Sequence, residues 1–181
     1  MDYDKNKWIY KCDSRNEIRY VLGTRGERTL LCFGINPSTA KPEELDDTLK
    51  SVERLTISNG YDSWIMMNVY AQRATDPNNI HQNVDSEIHR INLNHIKEIL
   101  TNTQTDIWAA WGTLIEKRPF LIECLQDIYR LTQDSDCKWL TIGKESKYGH
   151  PHHPLYLNSK EKVKLFDIVN YMKKLNKLVK K

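Results

Sequence analysis

The sequence lacks any apolar run approaching the ~18 residues that a membrane-crossing helix requires. Its first residues, Met1-Asp2-Tyr3-Asp4, lack the apolar region of a signal peptide, so a cytoplasmic protein with no membrane partner is expected. No Cys-x-x-Cys pair occurs among Cys12, Cys32, Cys124 and Cys137, which argues against an iron–sulfur site. Cys32 lies in an apolar run and Cys124 in a helical pattern, so reduced, buried thiols are predicted. No Gly-rich phosphate loop follows any apolar run, and nucleotide hydrolysis or dinucleotide binding is therefore not indicated. Internal repeats, low-complexity tracts and linkers are absent too. Residues 1–181 read as one domain, expected to be monomeric.

What is present is a globular balance, with 39% hydrophobic and 28% charged residues and a net charge of +3. Five Trp and nine Tyr are many for this length, so part of the aromatic set is available for recognition. Eight lysines fall in the last 22 residues (Lys160, Lys162, Lys164, Lys173, Lys174, Lys177, Lys180 and Lys181). Such an end is either a solvated helix face or a contact for a phosphate backbone.

Apolar patterning predicts strands at 8–11, 17–22, 29–35, 63–70, 106–111 and 138–142. Gly23-Thr24-Arg25-Gly26 reads as a turn that makes 17–35 a hairpin. Helical spacing predicts helices at 48–58, 85–101, 118–131 and 159–179, the last apolar at Leu165, Val169, Met172 and Leu175. Ser38 and Thr39 are candidate helix caps. Strands alternating with helices imply an α/β fold, a three-layer α/β/α arrangement around a mainly parallel sheet.

Four strands end in something polar: Asn36-Pro37-Ser38, Asn68 to Thr75, Trp111-Gly112-Thr113, and Gly149-His150-Pro151-His152-His153-Pro154-Leu155. In a parallel sheet these ends share one edge, where α/β folds place ligands. In this order the segments resemble the motif set of the uracil-DNA glycosylase superfamily, especially its mismatch-specific, thymine-processing branch. Gly34-Ile35-Asn36-Pro37 resembles the motif that positions the attacking water. Met66-Met67-Asn68 with Arg73-Ala74-Thr75 is similar to the strand end whose Asn reads the extruded base. Ala110-Trp111-Gly112 resembles a structural strand end, and His150-Pro151 the second catalytic motif. The wording GINPSTA, NVYAQRATDP, AWG and GHPHHPLYL also resembles a set of functionally unassigned bacterial and phage proteins, which the same likeness places on this fold.

The resemblance implies a DNA glycosylase without a cofactor, acting in repair or in defence against phage. Asn36 would hold a water by its side-chain carbonyl, and His150 would donate to the base oxygen as negative charge develops. Asn68 would pair with the edge of a flipped pyrimidine, with Phe33 or Tyr70 stacking on it. Gly34, Ile35, Pro37, Ser38 and His153 would line the base site, and Asp46 or Asp47 would touch the base or assist Asn36. Leu155, Tyr156 or Leu157 would fill the vacated stack, and Arg73 and Arg118 are candidate phosphate contacts, with surface salt bridging as the alternative. No Lys is well placed for a Schiff-base step, although Lys144 and Lys147 lie near the last loop.

Two positions depart from the pattern. The strongest enzymes of the superfamily carry Asp at the place of Asn36, so a slow enzyme or a non-catalytic nucleic-acid-binding module is an alternative. Uracil-specific members carry Tyr at the place of Ser38, which excludes a substituent at carbon 5; the small Ser38 implies a 5-substituted or more heavily modified pyrimidine. Read from residue types alone, each polar strand end also has a structural role open to it: Asn36 in an Asx turn, Asn68 satisfying backbone groups, Trp111 in the core. A further alternative is a metal-dependent nucleotide hydrolase using His150, His152 and His153 with Asp46 and Asp47, although Pro151 and Pro154 impose extended geometry.

Overall fold

The apolar run around Cys32 becomes the strand β3 (Thr29–Gly34), buried at every residue. A strand covered on both faces has no solvent side, so its sequence is continuously apolar instead of alternating. The computed structural model describes residues 2–103 and 105–179; Met1, Lys180 and Lys181 of the two ends lie outside it. The other strands are β1 (Trp8–Cys12), β2 (Arg19–Thr24), β4 (Ser63–Asn68), β5 (Asp106–Ala109), β6 (Trp139–Ile142) and β7 (Val163–Leu165). The helices are α1 (Asp47–Ser58), α2 (Ser86–Asn102), α3 (Pro119–Thr132) and α4 (Ile168–Val179).

The strands form one seven-stranded sheet in the order β1-β2-β4-β3-β5-β6-β7. The fold is α/β with a mixed sheet. Only β4, β3, β5 and β6 run parallel; the pairings β1–β2, β2–β4 and β6–β7 are antiparallel. The expectation of a mainly parallel sheet therefore holds for the central four strands and not for the edges. Side chains alternate between two cores. Leu30, Cys32, Trp64, Met66 and Trp108 pack with Leu49, Val52 and Leu55 of α1. Leu31, Phe33, Met67 and Ile107 pack on the other face with α2, α3 and α4.

Two expectations about the chain path are corrected. Residues 17–35 are not a hairpin, because β4 lies between β2 and β3 and the N-terminal hairpin is β1–β2. Gly23 is not a turn residue but a strand residue that permits close approach. A Cβ there would stand 2.5 Å from the Trp64 carbonyl oxygen and 2.8 Å from Ile65 Cα. The chain then leaves the sheet through Glu27 and Arg28, whose amides donate to the Asp62 carboxylate.

Residues 159–179 are not one helix either. Val163 to Leu165 pair with Ile142 to Leu140 as an edge strand, so Leu165 and Val169 are exposed while Phe166 and Ile168 enter the core. Apolar spacing over a short segment does not distinguish helix from strand. The first helix begins later than Ser38 and Thr39 suggest: Asp46 is its cap, accepting from the Leu49 amide at 2.9 Å.

Backbone atoms confront the missing Cβ of Gly23, so nothing nearby can yield cheaply. Gly23→Ala is expected to destabilise the fold by about 2 kcal/mol or more, read as a lowered urea midpoint at unchanged slope.

Candidate functional site at the carboxyl edge of the sheet

Four adjacent parallel strands bring their carboxyl ends to one edge, and the strand order reverses around β3, the kind of place where open α/β sheets take ligands. Gly34 is the last residue of β3 and pairs with Asn68, the last of β4. A Cβ at Gly34 would stand 3.0 Å from Asn68 Oδ1 and 2.6 Å from the terminal methyl of Met66. The Asn68 amide thus lies over a glycine on the α1 face of the sheet. It is only 1% exposed, yet neither Nδ2 nor Oδ1 has a hydrogen-bond partner among the described residues. Buried amides are seldom left so, and each lost partner costs free energy. Asn92 of α2 supports it from behind, donating through Nδ2 to the Asn68 main-chain carbonyl at 2.9 Å.

The loop after β3 is held by its neighbours' side chains. Asn36 Nδ2 donates to the carbonyls of Ala74 at 2.7 Å and Pro37 at 3.1 Å. Both amide protons are thereby used, which leaves Oδ1 as an acceptor. Arg73 donates to the Ser38 and Ala40 carbonyls, the Tyr10 hydroxyl and Asn16 Oδ1. Arg19, buried in β2, donates to the Ala40 carbonyl at 3.0 Å. Burial, and then the neighbouring Arg73, bring its pKa down to about 10, opposed by Asp46.

The segment after β6 crosses the sheet edge from one face to the other. On the α4 side His150 is buried: Nδ1 lies 2.9 Å from the Tyr171 hydroxyl and Nε2 3.0 Å from Glu116 Oε1. Tyr171 also accepts from Trp111 Nε1 at 2.8 Å. On the α1 side His153 packs against Gly112, whose φ of +63° suits glycine and whose missing Cβ would stand 3.5 Å from His153 Cβ. The Leu155 amide donates to His153 Nδ1 at 3.4 Å, so the ring proton belongs on Nε2, a donor. Burial lowers the His153 pKa, with Asp46 opposing.

Residues 19–155 match a family described as protein of unknown function (DUF1643). The chain belongs to the DUF1643 family. No curated protein and no solved structure matches it.

In this DUF1643 protein several residues singled out from the sequence stand elsewhere than expected. Both ring nitrogens of His150 are engaged within the fold, so it does not present a donor at the Asn68 edge. Phe33 stacks on Trp139. Tyr70 is enclosed by Phe120 and His81, and its hydroxyl is occupied by His81 and the Asp85 amide. These two rings and Ile35 belong to the core facing α2, α3 and α4, the face opposite to Asn68. Arg73 turns both terminal nitrogens to acceptors inside the protein, and Arg118 donates to main-chain carbonyls of residues 78, 80, 81 and 117; neither presents a phosphate contact. Asp47 is exposed beside Lys50. Leu157 is core, whereas Leu155 and Tyr156 are exposed.

The three histidines do not form a metal centre with Asp46 and Asp47. Among the described residues, no three His, Cys, Asp or Glu side chains come together in a metal-holding group. Among the described residues, no helix is long and apolar enough to cross a membrane. A cavity of about 710 Å³ lies at the opposite, amino-terminal end of the sheet, lined by Lys97, Thr105, Arg130 and Cys137 among others, away from the convergent strand ends.

The sequence reading missed Arg19, Asn92, Glu116 and Tyr171. Asn92 carried a signal, since it sits four residues from both Ile88 and Ile96 on the apolar stripe of α2.

Replacing an unpartnered buried amide by an apolar side chain of similar size removes its desolvation cost. Asn68→Leu is expected to stabilise the fold by about 1–3 kcal/mol in chemical denaturation; an amide serving the fold would instead make the variant less stable. For His153, the unfolded chain binds a proton that the folded chain resists, so stability falls as pH drops below 6.5. His153→Gln is expected to flatten that part of the stability–pH curve.

Proposed function

We infer that this protein is a DNA glycosylase that hydrolyses the N-glycosidic bond of a flipped-out pyrimidine, by preference one substituted at carbon 5. The observation that carries this reading is the Asn68 amide, buried at a strand end with donor and acceptor both unsatisfied. A pyrimidine's Watson–Crick edge offers the complementary acceptor and donor side by side. The likeness of the four strand-end segments to the uracil-DNA glycosylase superfamily supports the reading, as does the α/β arrangement with helices on both faces.

Asn36 holds a water through Oδ1 and orients it without acting as a strong base. The carbon–nitrogen bond breaks with its electron pair going to the base. The water oxygen bonds to the sugar carbon, and the proton it sheds is carried by solvent to the departing base. The donor to the base oxygen is His153, not His150: burial lowers its pKa and favours the neutral ring, with the proton on Nε2. Asp46 caps α1 and biases the His153 ring electrostatically. Ser38, held through its carbonyl by Arg73, leaves room beside the base for a 5-substituent.

One observation favours a second reading. An amide at position 36, with its protons committed to the loop, is a weak activator of water, which suits a module that binds extruded bases without cleaving them.

DNA carrying uracil, mismatched thymine, hydroxymethylated or glucosylated pyrimidines, followed by alkaline cleavage, separates the two. Base-dependent strand scission is expected, lowered roughly 100-fold in Asn36→Ala and His153→Ala, while His150→Gln lowers thermal stability and, by loosening the loop that carries His153, lowers the rate by less than either. Binding without scission on every base would establish the second reading. Faster release of uracil than of any 5-substituted base would overturn the assigned specificity.

A further inference from the structure

The segment from 144 to 160 combines a fixed backbone with protruding side chains. His150, Pro151, Pro154 and Leu157 are buried, and His150 is tied to Tyr171 and Glu116. Just before these anchors Tyr148 is 75% exposed, and between Pro154 and Leu157 Leu155 is 43% and Tyr156 77% exposed. Tyr148 borders a cavity of about 180 Å³ with Glu116, His150, Tyr171 and Lys174 on the α4 side. Tyr156 stands on the α1 side, its ring 5.9 Å from that of His153. Exposed aromatic rings on an immobilised loop bind at little ordering cost, because the entropy of holding them is lost on folding.

The charges on the segment are mostly positive. Lys144, Lys147 and Lys160 are exposed and outnumber its one exposed carboxylate, Glu145. The opposite flank, leading into α1, is mostly acidic, with Glu43, Glu44, Asp46 and Asp47 against Lys41, which pairs with Glu44. A duplex laid across the edge would bring one of its backbones against those carboxylates. A single strand can follow the lysine-bearing segment alone, with unpaired bases free to stack on tyrosine.

We propose that Tyr148 and Tyr156 are stacking platforms for single-stranded DNA, which crosses the sheet edge along residues 144–160 and delivers one base to the site beside His153. The proposal rests on the glycosylase reading for the identity of that site, but binding tests it independently of catalysis. The measurement is fluorescence anisotropy of labelled oligothymidine and of a duplex of equal length, with the full chain over a range of salt. The single strand is expected to bind at least about tenfold tighter than the duplex. Tyr148→Ala and Tyr156→Ala should each weaken it by about tenfold, whereas the Phe variants retain it, since the ring and not the hydroxyl stacks. Lys144→Ala should reduce the salt slope by about 0.7.

Equal or tighter duplex binding, or alanine variants that bind like the parent while keeping its circular dichroism, would overturn the proposal. Tyrosine-dependent binding with no base released would support the platform and defeat the glycosylase reading. Base release unaffected by either alanine variant would do the reverse.

Discussion

Two guanidinium groups share one carbonyl. Arg19 and Arg73 both donate to Ala40, and the ion pairs among the described residues include neither of them. Their partners are backbone oxygens, a phenol and an amide, all on the segments that converge at the sheet edge. A buried cation without a carboxylate is costly unless its protons are well placed, so the loop from Asn36 to Ala40 is constrained to the path that supplies those oxygens. That path delivers Asn36 to Ala74 and leads on to Asp46 at the start of α1. Asp46 is the negative group that acts on both Arg19 and His153. The planar, always-charged fork of arginine suits several carbonyls at once, and a lysine would not reproduce it.

The parts of this arrangement that were legible in the sequence are those fixed by local pattern. The buried strand β3 announces itself because a strand covered on both faces admits no polar alternation. Its end is marked by Asn36-Pro37, and the end of β4 by Asn68. What could not be read is which face a residue meets after the strand has ended. His150, His152 and His153 carry no periodicity, and only the crossing of the chain over the sheet edge separates a histidine locked by Tyr171 and Glu116 from one facing Asp46. Gly23 misled for a related reason. A glycine that lets β4 approach looks, in sequence, like a glycine that turns, and the strand inserted between β2 and β3 comes from forty residues farther on. Arg73 looked free because its acceptors, Ser38, Ala40, Tyr10 and Asn16, are all distant in the chain.

The two faces of the edge are linked by two consecutive residues. Trp111 donates to Tyr171, and through it joins the His150 and Glu116 system on the α4 side. Gly112, next in the chain, packs on His153 on the α1 side. In the arrangement that satisfies every group, Tyr171 accepts from Trp111 and donates to His150 Nδ1, and His150 donates from Nε2 to Glu116. The crossing segment is therefore pinned from both faces of the sheet. A single anchor would leave the ring of His153 free to swing with its loop; two anchors fix its backbone while leaving its Nε2 unassigned. The buried His150 network is then best understood as what holds His153 in position. It also explains how a segment with so little regular secondary structure keeps Leu155 and Tyr156 outside the core: their neighbours Pro154 and Leu157 are packed, and the tips between them have nowhere in the fold to go.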